Sequence, residues 1–210
     1  MKITGVTFLG AFLDRELCPS GRPGVAFSGR SNVGKSSLLN RVTNRAIART
    51  SKTPGRTRQL VYFEVTRDPG PPFFLVDLPG YGYSTGPRAE RERFAGAVRA
   101  LLADGERIHA VLQLVDASVP WQESDLEMLA WLLEAGRPFA LVHTKSDRVK
   151  RGPLLARRAE LARLLPAWRD DVPVIDTSAK DNEGIVGVRK WIAEAIGEPL
   201  SASSRAPRRP

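Results

Sequence analysis

The sequence predicts an α/β fold with a mostly parallel sheet, one antiparallel hairpin and helices on both faces. Three observations predict it. Short apolar, β-rich segments alternate with longer segments of helical period. A glycine-rich loop closes the first of these strands and opens the first helix. The residues that carry most chemistry fall at strand ends, where ligands bind in sheets of this kind.

Val25 to Ser28 reads as a short buried strand running into a glycine, and Lys35 to Asn44 as the helix after it. Leu60 to Thr66 and Phe73 to Val76 read as two strands joined by a turn at Asp68-Pro69-Gly70. Arg88 to Ala103 has a helical spacing of Phe94, Val98, Leu101 and Leu102. Ala110 to Val115 is a strand, and a helix starts at Glu123 or Ser124 and stops before Gly136. Phe139 to His143 is a strand, Leu154 to Leu165 a helix, Val172 to Asp176 a strand and Ile185 to Ile196 a closing helix. Met1 to Asp14 is a short mixed apolar stretch with no assigned element. Residues 1–199 read as one domain, and the Ser/Pro-rich, arginine-bearing residues 200–210 as a disordered basic tail.

The 210 residues suit a single domain with a real core. One cysteine, Cys18, forms no internal disulfide, and packing is the better account of it. No signal peptide and no membrane-crossing run is found, which reads as cytoplasmic with no membrane partner. His109 and His143 lie at or beside strands without metal-ligand spacing and read as packing residues. The net charge of +9 attracts polyanions, although a merely solvated basic surface has the same composition. The expected oligomeric state is a monomer.

Gly29-Arg30-Ser31-Asn32-Val33-Gly34-Lys35-Ser36 fits GxxxxGK[ST], between a strand and a helix as that motif requires. Its glycines permit backbone N–H groups to converge on phosphate oxygens. The helix N-terminus favours the anion. Lys35 reaches the outer phosphates as a catalytic cation, and the Ser36 hydroxyl is offered to Mg²⁺. Phe73 to Asp77 is an apolar strand ending in a carboxylate, followed by Leu78-Pro79-Gly80. An aspartate there can hold the metal, and the N–H of Gly80 can sense a terminal phosphate. As an isolated pattern, D-x-x-G is also a common turn. Between the two lies Ser51-Lys52-Thr53-Pro54-Gly55-Arg56-Thr57-Arg58, a basic loop that carries hydroxyls. It suits a loop that orders around a phosphate, or an ordinary surface loop.

Thr144-Lys145-Ser146-Asp147 follows a strand. The Asp147 carboxylate can accept from guanine N1–H and the 2-amino group, donors that adenine lacks in that arrangement. The Lys145 stem can lie along the base. Thr144 stands where asparagine is usual and makes fewer contacts. Thr177, Ser178 and Ala179 follow the last strand, with backbone N–H groups for the guanine carbonyl. Together these make GTP and GDP the expected ligands. A P-loop kinase of small molecules needs a substrate lid, and no long insertion supplies one.

GRSNVGKSSLLN, SKTPGRTR, DLPGYGY, TKSD and TSAK, in this order, resemble the EngB family of bacterial GTPases from about Cys18 to Trp191. The resemblance implies a Ras-like fold, Mg²⁺-dependent GTP hydrolysis, and a part in assembling the large ribosomal subunit. It implies, too, a need for the protein in normal septum formation and cell division. It places Mg²⁺ on Ser36 and Thr57 and the first-switch contacts on Gly55, Arg56, Thr57, Arg58 and Gln59. It makes Asp77 to Gly80 the second switch, and Thr144 to Asp147 with Thr177 to Ala179 the guanine site. In Ras-like enzymes a glutamine after D-x-x-G orients the attacking water; here Tyr81 stands there, so slow intrinsic hydrolysis and a stimulating ribosomal partner are expected. Asn32 is a candidate to hold K⁺ against the phosphates. The competing reading is a GTP-gated scaffold of the division machinery, with incidental hydrolysis.

Overall fold

The structure, a computed structural model, describes residues 1–48, 59–81 and 88–197. Its strands are β1 (Lys2–Phe12), β2 (Gly24–Gly29), β3 (Leu60–Asp68), β4 (Phe73–Asp77), β5 (Ala110–Asp116), β6 (Phe139–Thr144) and β7 (Val174–Asp176). Its helices are α1 (Lys35–Thr43), α2 (Arg88–Ala103), α3 (Glu123–Glu134), α4 (Arg151–Leu164) and α5 (Ile185–Ala195). Among the described residues the strands form one sheet in the order β1-β3-β4-β2-β5-β6-β7. β2 lies parallel to β4 and β5, and β5, β6 and β7 continue in parallel. β3 alone runs against its neighbours, β4 in the expected hairpin and β1 in a second antiparallel pairing.

β1 is the element the sequence reading leaves unassigned. Its register shifts between Ile3 and Gly5 and again between Phe8 and Gly10. Each shift moves the following side chains to the other face, so the two-residue alternation that marks a strand is broken twice. Other differences are at boundaries. β5 and β6 run one residue further than expected, to Asp116 and Thr144. α4 starts at Arg151 rather than Leu154, because Pro153 falls in the first turn, where a missing N–H costs nothing. β7 starts after Pro173.

The sheet is covered on both faces. On one, Leu38, Leu39 and Val42 of α1 and Ile185, Val188 and Ile192 of α5 pack on Phe27, Leu75, Leu112 and Val142. On the other, Leu101 and Leu102 of α2, Leu129 and Leu132 of α3 and Leu161 of α4 pack on Val76, Val111 and Leu141. Burial on both faces explains why the central strands read as apolar runs. Each such side chain stabilises the fold by about 1.5–3 kcal/mol. Cys18 is buried, and burial pushes its thiol up. His143 is fully buried, with Nδ1 2.9 Å from Asp176 Oδ1. No helix among the described residues is long and apolar enough to cross a membrane. The basic tail lies outside the described residues.

Candidate nucleotide site

The parallel strands deliver their last residues to one edge of the sheet. Asp77 pairs in register with Phe27 of β2, Asp116 with Thr144, and His143 with Asp176. The loops after β2, β4, β6 and β7 therefore meet there, beside the point where the chain reverses its direction of travel across the sheet.

Gly29 to Ser36 wraps from β2 into α1. Asn32 (φ 63°) and Gly34 (φ 110°) take left-handed conformations on either side of Val33, which does not. That alternation curls the backbone into a nest of N–H groups suited to an anion. The first turn of α1 holds no acidic residue, so its positive end is not neutralised. Lys35 Nζ is 3.4 Å from the Gly29 carbonyl. Burial draws the Lys35 pKa down, against the opposing charge of Asp77. Burial likewise pushes Asp77 up to about 6, and Lys35 opposes it. Asp77 Oδ1 is buried without a hydrogen-bond partner among the described residues. A hard divalent cation takes oxygen donors. The orphaned Asp77 oxygen is a donor of the kind that Mg²⁺ fits.

After β4 the chain is zipped to the phosphate loop. The Ser31 N–H donates to the Tyr81 carbonyl (2.9 Å), and Ser31 Oγ donates to the Gly80 carbonyl (3.2 Å). A Cβ on Gly80 would lie 2.7 Å from Ser31 Cα and N, so the approach needs glycine. The Tyr81 phenol turns down into the fold. Its hydroxyl donates to Asp125 Oδ1 (2.9 Å) and accepts from Gln113 Nε2 (2.5 Å). Gly55, Arg56, Thr57 and Arg58 lie outside the described residues. Gln59 is described, exposed and immediately before β3.

The loop after β6 grips the phosphate loop. Thr144 Oγ1 donates to the Val33 carbonyl at 2.6 Å, and the Val115 carbonyl is 3.3 Å away. Threonine thus ties the two loops together through a single hydroxyl. Thr144→Val keeps the shape and strips the bond, leaving the buried Val33 carbonyl unpaired. Thermal unfolding should show a loss of about 1–3 kcal/mol. Lys145 Nζ donates to the Asn32 carbonyl (2.9 Å) and to Asp116 Oδ2 (2.6 Å). Burial raises Asp116, but hydrogen bonds from Lys145 and Ser118 outweigh it and hold its carboxyl below the usual range. Ser146 N–H donates to the Thr177 carbonyl, and Thr177 donates to the His143 carbonyl through both N–H and Oγ1. Arg41 Nε holds the Ala179 carbonyl at 2.7 Å. Asp147 is exposed at the lip.

The described site residues named from the sequence are thus brought to one edge. Those it missed support them. Asp116, which fixes Lys145, had a signal in the sequence: an acidic residue ending an apolar strand, as Asp77 does. Gln113 and Asp125, which hold Tyr81, had none, because they come from separate elements.

The family model described as "50S ribosome-binding GTPase" matches residues 24–145. A protein of Koribacter versatilis named "Probable GTP-binding protein EngB" is 38% identical over 206 residues, covering 97% of this chain and all of that protein. Its namesake in Thermotoga maritima is 41% identical over 174 residues, covering 83% of this chain and 87% of that one. A crystal structure of "a probable GTP-binding protein engB" superposes with a TM-score of 0.66 at 26% identity, covering 84% of this chain and all of that one. With the phosphate loop and base loop joined at one sheet edge, these similarities place the chain in the EngB family of P-loop GTPases.

Proposed function

We propose that this GTPase is a nucleotide-driven switch that acts on the large ribosomal subunit during its assembly. The observation that carries the reading is the joining of phosphate loop, second switch and base loop by direct hydrogen bonds from Ser31, Thr144 and Lys145. A hydrogen bond made or broken at a terminal phosphate is thereby felt at the Gly80–Tyr81 backbone. The net charge of +9 suits an RNA-rich partner, and the family model's description names the 50S ribosome. A requirement in septation and cell division then follows from impaired ribosome supply.

In this reading residues 29 to 36 cradle the phosphates and Lys35 neutralises the outer oxygens. Ser36, Thr57 and Asp77 hold Mg²⁺. Bound there, the ion neutralises charge on the phosphate oxygens as the leaving group departs. Gly80 offers its N–H to the terminal phosphate. Gly55 to Gln59 supply the first-switch contacts. Lys145 backs the base, Asp147 reads its N1 and 2-amino edge, and Thr177 to Ala179 face its carbonyl. The Tyr81 hydroxyl is committed to Asp125 and Gln113, so it orients no water. Unaided hydrolysis is accordingly slow, with the stimulus coming from the ribosomal partner. K⁺ held at Asn32 belongs to the same proposal: that residue is exposed at the turn of the loop.

Co-sedimentation with isolated large subunits tests the reading. Binding is expected with a GTP analogue in preference to GDP. It should weaken about 100-fold between about 50 and about 200 mM salt as counterions return to the RNA phosphates. Absence of co-sedimentation in either nucleotide state would sink it.

A further inference from the structure

The Tyr81 phenol spans three elements. It leaves the chain just after Gly80, accepts from Gln113 at the centre of β5 and donates to Asp125 in the first turn of α3. Gln113 is 0% exposed and Asp125 2%. A carboxylate so deeply placed is costly unless it is bonded. Here the helix N-terminus and the phenol stabilise it. Burial still pushes its carboxyl up to about 6, against the Tyr81 hydrogen bond and the charges of Arg30 and Arg157, while Asp116 adds to the rise. Burial, then Asp125, carries the Tyr81 phenol well above its ordinary value, so it remains a donor at any working pH. The backbone of the same tyrosine accepts from the Ser31 N–H, and the preceding glycine admits no Cβ there. One residue is thus fixed at both ends, to the phosphate loop by its carbonyl and to the core by its hydroxyl.

We propose that Tyr81, Gln113 and Asp125 form a clamp that positions the second switch, holding the Gly80–Tyr81 backbone against Ser31 so that the Gly80 N–H is placed for the terminal phosphate of GTP. The proposal rests on the reading of Gly80 as the phosphate sensor. The three are positioning residues: their side chains bond one another, and they act through the Gly80 peptide. Their effect falls on GTP and not on GDP, which has no terminal phosphate for Gly80 to meet. A clamp that merely stabilised the fold would weaken both alike.

The test is calorimetric titration of the full chain with GDP and with a non-hydrolysable GTP analogue, in Mg²⁺, with melting temperatures taken alongside. Tyr81→Phe removes only the hydroxyl. It is expected to raise the Kd for the GTP analogue about tenfold, with the Kd for GDP within about twofold of wild type. Asp125→Leu should do the same. Asp125→Asn keeps an acceptor oxygen in place and should restore the wild-type ratio of the two affinities. Parallel losses for both nucleotides would overturn the clamp. Gly80→Ala separates the two levels of the argument. Selectivity lost in Gly80→Ala but kept in Tyr81→Phe overturns the clamp alone. Selectivity kept in Gly80→Ala overturns the sensor reading, and the clamp with it.

Discussion

Asp147→Asn is expected to lose roughly 100- to 1,000-fold in affinity for GTP and GDP, about 3–4 kcal/mol, as two charge-assisted hydrogen bonds from the base to one carboxylate are disrupted. Two neighbouring guanine donors, N1–H and the 2-amino group, need two acceptor oxygens side by side. An amide presents one oxygen and one NH₂, so one guanine donor faces another donor. The loss is therefore a repulsion and not only a missing bond. Chemistry supplies the control. Xanthine has a carbonyl where guanine has the 2-amino group, and the new NH₂ can donate to it. The variant should gain affinity for the xanthosine nucleotide while it loses guanosine nucleotides. An unfolded or damaged variant would lose all of them. Calorimetric titration with the guanosine, xanthosine and adenosine triphosphates distinguishes these outcomes. Equal GTP affinity in variant and wild type would remove Asp147 from the base site.

Asp77→Asn is expected to separate stability from activity. Asp77 is half-buried, with its Oδ1 buried and unpaired among the described residues and its pKa carried up to about 6. Burying a charge without full compensation costs folding free energy. Asparagine is nearly isosteric and carries no charge. Without nucleotide or metal, the variant should melt no lower than wild type at neutral pH. Its GTP turnover should fall by about 100- to 1,000-fold, the usual result of removing one electrostatic element that acts on transferring charge. Melting curves and single-turnover hydrolysis measured on the same preparation check both halves. A variant that melts lower and hydrolyses normally would mean that Asp77 is a structural residue. A residue kept at a cost in stability marks a site selected for chemistry.

The sequence was most informative where local chemistry is demanding. The phosphate loop between β2 and α1 needs its two glycines and its lysine in one stretch, so Gly29 to Ser36 was legible outright. The central strands, buried on both faces, announced themselves as apolar runs. β1 did not, because two register shifts broke its alternation. The supports of the site were hidden for a different reason. Asp116 and Lys145 come from the ends of neighbouring strands, and Tyr81, Gln113 and Asp125 from three separate places in the chain. Pairings of that kind exist only once the sheet is assembled. Thr144 shows the intermediate case: its departure from asparagine was visible, but its bond to Val33, which joins the loops, was not.

The strand order also constrains how the chain can acquire its shape. Among the described strands, only β3 and β4 are neighbours joined by a tight turn. Every other pairing closes a long stretch of chain and carries a larger entropic cost before any contact rewards it. The β3–β4 hairpin is the least costly of the strand pairings. β1 is synthesised before its partner β3 exists, since Phe12 waits for Leu60 and Lys2 for Asp68. β2, the strand that carries the phosphate loop, sits between β4 and β5 and must wait for both. The nucleotide pocket is therefore a late product of folding, completed only when β6 and β7 dock at the far side.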